Sequence, residues 1–354
     1  MPDWVTIGLI FLFLYLPARF SSAQEGNLSA GKSVLAFQYT DNEGVNADVY
    51  LHYTPTDNPD HYTAYLATDV CSDGLCKPVN ITIQWDLLGR FSSYHTEEMY
   101  MLTKFDHIAL TDEDHRQLHK ILSDTTSVLR DYRVEDMIDS SAHVQSHQVV
   151  DAVTRATSVI FDGATVEGAL YTVYTLWHFT NGPIRKRIFE HTRTLFSEPV
   201  AKHMLYSGNR DYVAFVFKNT SSAQRETFTA DILNLIKDPD EYIPHFALGQ
   251  LTDNMLSMPL WQHKLLDFLT VTSATVKNAV LSRLRDIKVD SVGLDKLLAV
   301  LPGLGGNQIG AVFSIVEKNK SQLSENNVKK IEALSQHADA NIARHARNSL
   351  RKLK

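Results

Sequence analysis

The chain reads as an α+β N-terminal domain, an antiparallel sheet with helices, followed by an all-α, helical-repeat-like domain. Three observations predict this. Period-two stretches rich in Val, Tyr, Phe and Thr occupy most of Ser33 to Tyr94. From Ile184 onward strand signals vanish and amphipathic segments separated by short breaks take over. Between the two lies Val149 to Pro183, which holds a dense aromatic helix and ends in an Asn181-Gly182-Pro183 stop. With 354 residues, 44% hydrophobic and 21% charged, the chain can bury a sizeable core and is long enough for two domains. We place an export signal at 1–23, the α+β domain at 24–190 and the helical domain at 191–354.

A net charge of −7 disfavours a dedicated nucleic-acid binder, which would carry a basic face. The cations near the C-terminus, Arg344, Arg347, Arg351, Lys352 and Lys354, read as a solvated helix face. Trp4 to Leu16 is an apolar run, and small residues at Ser21 and Ala23 suit cleavage after Ala23. The n-region carries Asp3 and no Lys or Arg, and an uncleaved anchor is the alternative, though the run is short for a membrane span. No transmembrane segment is expected after cleavage, which places the mature protein in an exported, periplasmic or extracellular location.

The strands are expected at Ser33 to Tyr39, Val45 to Tyr53, Tyr62 to Val70, Val79 to Trp85 and Phe91 to Tyr94, punctuated by Asp/Asn/Gly/Pro clusters. Asp86-Leu87-Leu88-Gly89-Arg90 turns the last pair into a hairpin with Trp85 anchoring one face. Cys71 and Cys76, the chain's two cysteines, close a Ser-Asp-Gly turn, which in an exported protein reads as a disulfide. A metal site would need further ligands, and a redox dithiol is the other alternative. Asn27, Asn80 and Asn219 head tripeptides of the glycosylation pattern, relevant in a eukaryotic secretory pathway.

Thr111 followed by Asp112, Glu113 and Asp114 marks a capped helix start, with Leu118, Ile121 and Leu122 at helical spacing. His115 and His119 lie four apart on that helix, with Asp106 and His107 nearby, so a metal site can be imagined. The competing reading, an amphipathic helix with exposed histidines, is preferred because the glutamate of H-E-x-x-H is missing.

Asp151-Ala152-Val153-Thr154-Arg155-Ala156-Thr157 resembles the D-x-x-[S/T]-G-A-T motif of FMN-binding domains, found in flavin-carrying subunits of Rnf-type and sodium-pumping NADH:quinone reductases and in related exported carriers. The upstream order is similar as well: strands, a W/F-D-x-x-G hairpin at Trp85 to Gly89, a helical middle, then the motif leading into a helix. The resemblance implies that a flavin transferase joins FMN through its phosphate to Thr157, with Asp151, Thr154, Arg155 and Ala156 around it. Arg155 stands where the family has glycine. A glycine would let the transferase and the phosphate approach closely. The arginine either blocks that approach or pairs with the phosphate. Asp162-Gly163-Ala164-Thr165 repeats only part of the pattern, which makes Thr165 the weaker candidate.

In the helix that follows, Val166, Ala169, Leu170, Val173, Tyr174, Leu176 and Trp177 build one wide apolar face. Gly182 ends it, and Pro183 can begin the next helix. Tyr171, Trp177 and His178 could stack on an isoalloxazine ring, although such a stripe is more often core.

Amphipathic segments are then expected at Pro199 to Tyr206, Asp211 to Phe217, Arg225 to Ile236, Tyr242 to Leu251, Trp261 to Val271, Ala274 to Leu284, Gly293 to Val300, Gln308 to Val316, Asn327 to Leu334 and Asn341 to Leu353. Asp238-Pro239, Met258-Pro259 and Pro302-Gly303 break them up. Helices joined by short breaks suggest an array in which each pair buries its face on the next, and Asp339 to Leu350 looks like the last helix of a HEAT-type repeat. Two functions follow. One is an exported flavin-bearing electron carrier, its helical domain docking a redox partner. The other is a non-catalytic scaffold with a degenerate FMN-binding domain. A hydrolytic enzyme ranks third, since no G-x-S-x-G or H-E-x-x-H is present.

Overall fold

The structure is a computed structural model describing residues 32–41, 44–70, 77–104, 107–133, 136 and 163–353. Five strands, β1 (Ser33–Thr40), β2 (Asn46–Tyr53), β3 (Pro59–Thr68), β4 (Val79–Asp86) and β5 (Phe91–His95), form one antiparallel meander in the order β1-β2-β3-β4-β5. Alternation decides which face is covered, because successive side chains point to opposite sides of a strand. Val49 and Leu51, Tyr62, Ala64 and Leu66, and Ile81, Ile83 and Trp85 are all buried on the inner face. The intervening residues face outward, where Gln38 bonds Asp48, His52 meets Thr63 and Tyr65 donates to Asn80. Asn80, in a glycosylation tripeptide, therefore sits near the start of β4 with its amide oxygen engaged.

The β4–β5 turn shows why an Asp-x-x-Gly sequence is needed there. One Asp86 carboxylate oxygen accepts from the amides of Leu88 and Arg90, and Gly89 takes a φ of +73° that side chains disfavour.

Three helices clothe the inner face. α1 (Asp112–Ser123) carries the capping box expected at Thr111 and Asp114 and buries Leu118, Ile121 and Leu122. α2 (Leu170–Asn181) begins four residues later than Val166, because Gly168 adopts a φ of +73° in the preceding turn. α3 (Pro183–Thr194) starts on Pro183, whose missing N–H is no loss in a first turn.

The remaining helices stack in two layers. One layer is α4 (Glu198–Leu205), α7 (Thr229–Leu235), α10 (Pro259–Asp267), α12 (Ser291–Ala299) and α14 (Glu325–Leu334). The other is α5 (Arg210–Asn219), α8 (Ile243–Gln250), α11 (Ala274–Leu284), α13 (Gly306–Lys318) and α15 (Ala340–Leu353). Each helix touches the next of its own layer, so successive helix pairs bury one another. Two short helices, α6 (Ser222–Thr227) and α9 (Asp253–Ser257), join pairs, and α6 divides the segment expected as one helix from Arg225 to Ile236.

No repeat consensus recurs in the sequence, yet the contacts do. Arg210–Asp240, Asp253–Arg283, Asp267–Lys296, Asp286–Lys318, Asp295–Lys330 and Glu317–Lys352 are ion pairs between neighbouring repeats, 29 to 35 residues apart. Beneath them run buried amides. Gln262 Nε2 donates to the carbonyls of Leu256 and Lys288 at 2.9 and 3.0 Å, Gln308 Nε2 to Ala274 O at 3.0 Å, and Asn327 Nδ2 to Ser291 O at 3.1 Å. The Gln262 pair satisfies carbonyls at the C-terminal end of α9 and in a loop, where no intrahelical donor is on hand, while the Gln308 and Asn327 amides tie the first turns of α11 and α12 to the following repeat. Among the described residues no helix is long and apolar enough to cross a membrane.

Candidate functional site

Asp151, Thr154, Arg155, Ala156 and Thr157 lie outside the described residues, as do Cys71, Cys76, Asp106 and Asn27. The structure does show what borders the motif on its C-terminal side. Gly163, in a left-handed turn, accepts a 3.0 Å hydrogen bond from Gln117 Nε2 of α1. Thr165 is half-buried, Val166 is buried, and α2 begins at Leu170 against the sheet.

Where α2 passes the β1–β2 end of the sheet it leaves a cleft of about 140 Å³, lined by Tyr39, Asp41, Leu66, Tyr174, His178 and Phe179 among others. Tyr174 and His178, one helical turn apart, bring their rings to 4.2 Å. His178 donates from Nε2 to the Leu129 carbonyl at 2.9 Å, which fixes its ring and leaves the partner-bearing edge away from solvent. Burial, reinforced by the Asp41 carboxylate, raises the Tyr39 phenol above the ordinary tyrosine value. The cleft is thus an aromatic seat with the Asp41 carboxylate on its rim. Its volume falls below the roughly 300 Å³ at which pockets enclose small molecules, so a flat ring would rest across its mouth.

Of the three aromatic residues expected to stack, Trp177 is committed to the core. It is buried, and its indole N–H donates to Asp124 O at 2.9 Å, holding the C-terminal end of α1. Tyr171 is half-buried, and His178 alone of the three reaches the cleft.

The α1 histidines are used to fasten that helix to β5. His115 Nδ1 lies 2.6 Å from the Tyr94 hydroxyl, and His119 Nε2 donates to Ser92 O at 3.1 Å. Burial raises the Tyr94 phenol to about 12, so it stays a neutral hydrogen-bonding partner. Among the described residues no three His, Cys, Asp or Glu side chains gather in a metal-binding arrangement.

A second polar cluster, unsuspected from the sequence, joins the sheet to the helices. The Tyr62 hydroxyl lies 2.9 Å from both His191 Nδ1 and Thr192 Oγ1, and Thr192 donates onward to Leu87 O at 2.6 Å. Trp85 Nε1 donates to Thr180 O at 2.9 Å, and the Leu87 amide donates to the Tyr212 hydroxyl at 3.0 Å. Burial drives the Tyr62 phenol far above its usual range and holds the His191 imidazole below its own, so both are neutral. Arg90, bonded to Asp86, also reaches Asp211 and Asn209 at the start of α5. The β4–β5 hairpin is therefore the piece of sheet inserted between α3 and α5. Nothing in the local sequence marks this, since the partners lie 95 to 125 residues downstream.

A larger hollow lies in the helical stack, a groove of about 570 Å³ between the loop at Lys237 to Pro244 and the start of α11 at Val271 to Val276. Asp240 there is occupied: its carboxylate accepts from the amides of Tyr242 and Ile243 and pairs with Arg210. No family model, no curated protein and no solved structure matches the chain.

Proposed function

We propose that the protein is an exported flavin-bearing electron carrier, with FMN joined through its phosphate to the Thr157 hydroxyl. The observation that supports this best is the aromatic cleft of Tyr39, Tyr174 and His178, on the helix the motif leads into. Gly163, six residues after Thr157 in the sequence, accepts a hydrogen bond from Gln117 of α1. FMN supplies one- and two-electron redox chemistry when bound, while the chain attaches, orients and electrically tunes it. His178 and Tyr174 supply aromatic rings to the cleft lining, Tyr39 supplies a protonated phenol, and Asp41 supplies the one carboxylate among the described lining residues. A phosphoester needs a hydroxyl, and covalent attachment keeps an exported protein from losing its cofactor. A flavin transferase would carry out the maturation, and a redox protein would be met through the helical stack.

The competing reading is a binding scaffold whose FMN-like domain is structural. The groove of about 570 Å³ favours it, being within the size range of ligand pockets.

Intact mass of the protein co-expressed with a flavin transferase separates the two. The expected result is a single FMN adduct that disappears in Thr157→Val. No adduct under conditions that modify a control domain removes the electron-carrier reading and leaves the scaffold. Arg155→Gly raises the modified fraction if the arginine obstructs the transferase, and lowers it if the arginine holds the phosphate.

A further inference from the structure

Two structurally distinct halves in one chain ordinarily move relative to one another unless the contact between them is large and apolar. We infer that here they do not, and that the sheet and the helical stack form one rigid body clasped by the β4–β5 turn. The first ground is connectivity. α2 and α3 are separated by Gly182 alone, and only Leu195, Phe196 and Ser197 lie between α3 and α4. Phe196 in that short link packs its ring 5.9 Å from Phe215 of α5, so even the link is anchored. No free length of chain exists to act as a hinge.

The second ground is that α3 belongs to both halves. Its His191 and Thr192 bond Tyr62 of the sheet, while its Phe189 meets Phe215 at 5.5 Å. Arg187 on the same helix lies over the Phe37 ring and donates to Gln38 O at 2.9 Å. Residue 190, where the sequence suggests a boundary, falls inside this helix.

The third ground is the turn itself. Leu87, wholly buried, receives Thr192 on its carbonyl and gives its amide to Tyr212 of α5. Opening the junction would break both hydrogen bonds together and expose the wholly buried Leu87 side chain to water. Gly89 packs so closely that an added Cβ would stand 2.5 Å from the Arg185 carbonyl. Arg90 closes the outside through Asp211 and Asn209.

On the electron-carrier reading, the consequence is that the flavin is presented at a fixed angle to the stack. The partner must come to it, because no domain swing can carry it across. Rigidity itself does not depend on that reading, and its test uses the full chain without flavin.

Amide hydrogen exchange and calorimetry test it together. The Leu87 amide is expected to exchange as slowly as the amides of β4 and α5, and heating to give one transition, coincident by far-UV circular dichroism and tryptophan fluorescence. Tyr212→Phe is expected to lower Tm for the whole molecule while keeping a single transition. Where that variant fails to fold, Arg90→Gln gives the same reading from the solvent side. Two separate transitions, or a Leu87 amide that exchanges quickly while β4 and α5 stay protected, overturn the proposal.

Discussion

The Tyr62 hydroxyl and His191 Nδ1, 129 residues apart in sequence, meet at 2.9 Å, and counting protons fixes which of them donates. Thr192 spends its own proton on Leu87 O, so it can only accept from Tyr62. Tyr62 has one proton and gives it to Thr192. His191 must therefore carry its proton on Nδ1 and donate to Tyr62. Nitrogen-15 NMR should find the Nδ1–H tautomer at neutral pH, the minority form of a free imidazole. Tyr62→Phe interrupts the relay at a wholly buried position and should cost about 1–3 kcal/mol in urea unfolding.

His191 also sets a pH dependence. Burial lowers its pKa from 6.5, so the unfolded chain takes up a proton before the folded one does. The stabilisation is complete above pH 6.5 and drains away as the pH falls through the lowered folded value. His52, lowered by burial and by its stacked neighbour His61, adds in the same direction. His191→Asn, which can keep a donor near the Nδ1 position, should flatten this part of a stability-against-pH curve. An unchanged slope would assign it to other groups.

Asp114 governs a second, more acid window. Partial burial alone would raise its carboxyl, but Lys104 at 2.8 Å and the Thr111 amide and hydroxyl hold it down at about 2. Its contribution is present above the ordinary 3.8 and is lost as the pH drops toward 2. Lys104→Met should lower Tm at neutral pH and lose its effect near pH 2, where the carboxyl has taken its proton.

Gly89→Ala should be among the most damaging single-methyl additions in the chain. The residue needs a positive φ, and the new carbon would collide with the Arg185 backbone, which cannot swing aside as a side chain would. A loss above about 2 kcal/mol in urea unfolding is expected, since strain of roughly 1–3 kcal/mol adds to the clash.

Within the helical stack, Gln262→Leu should cost about 1–3 kcal/mol, because two buried carbonyls lose their only side-chain donor. Lys296→Met removes a solvent-facing ion pair to Asp267 and should cost less than about 1 kcal/mol, shrinking further in high salt. Equal losses in the two variants would contradict the view that buried amides rather than surface charges hold the repeats together.

Much of the fold was legible because local chemistry decides it. The alternation through Val79 to Asp86 predicts a half-covered strand, and every second residue is buried. Thr111 and Asp114 announce a capping box that forms, and Pro183 begins a helix as its fixed φ suggests. Ala274 to Leu284 is bounded as its apolar spacing implies. The break in Arg225 to Ile236 was hidden because α6 ends at Thr227 and α7 begins at Thr229 with only Phe228 between them and no Gly or Pro to mark the stop. The site was less legible. Trp177 and His178 stand side by side in an aromatic stripe, yet one enters the core and the other a cleft, and that choice is made by where α1 lies. The Tyr62–His191 relay was invisible, since no spacing rule links residues so far apart.

The layered packing of the helical half has a consequence for how such a chain can change in length. Inserting one residue inside a helix turns everything after it by about 100° about the axis, pulling apolar positions off their neighbours and shifting every later bridge out of reach. Inserting a whole helix pair, near the 29 to 35 residue offset of those bridges, hands each new surface the same neighbour it would have met before. Growth by duplication is therefore nearly free for this architecture, while growth by single steps is not.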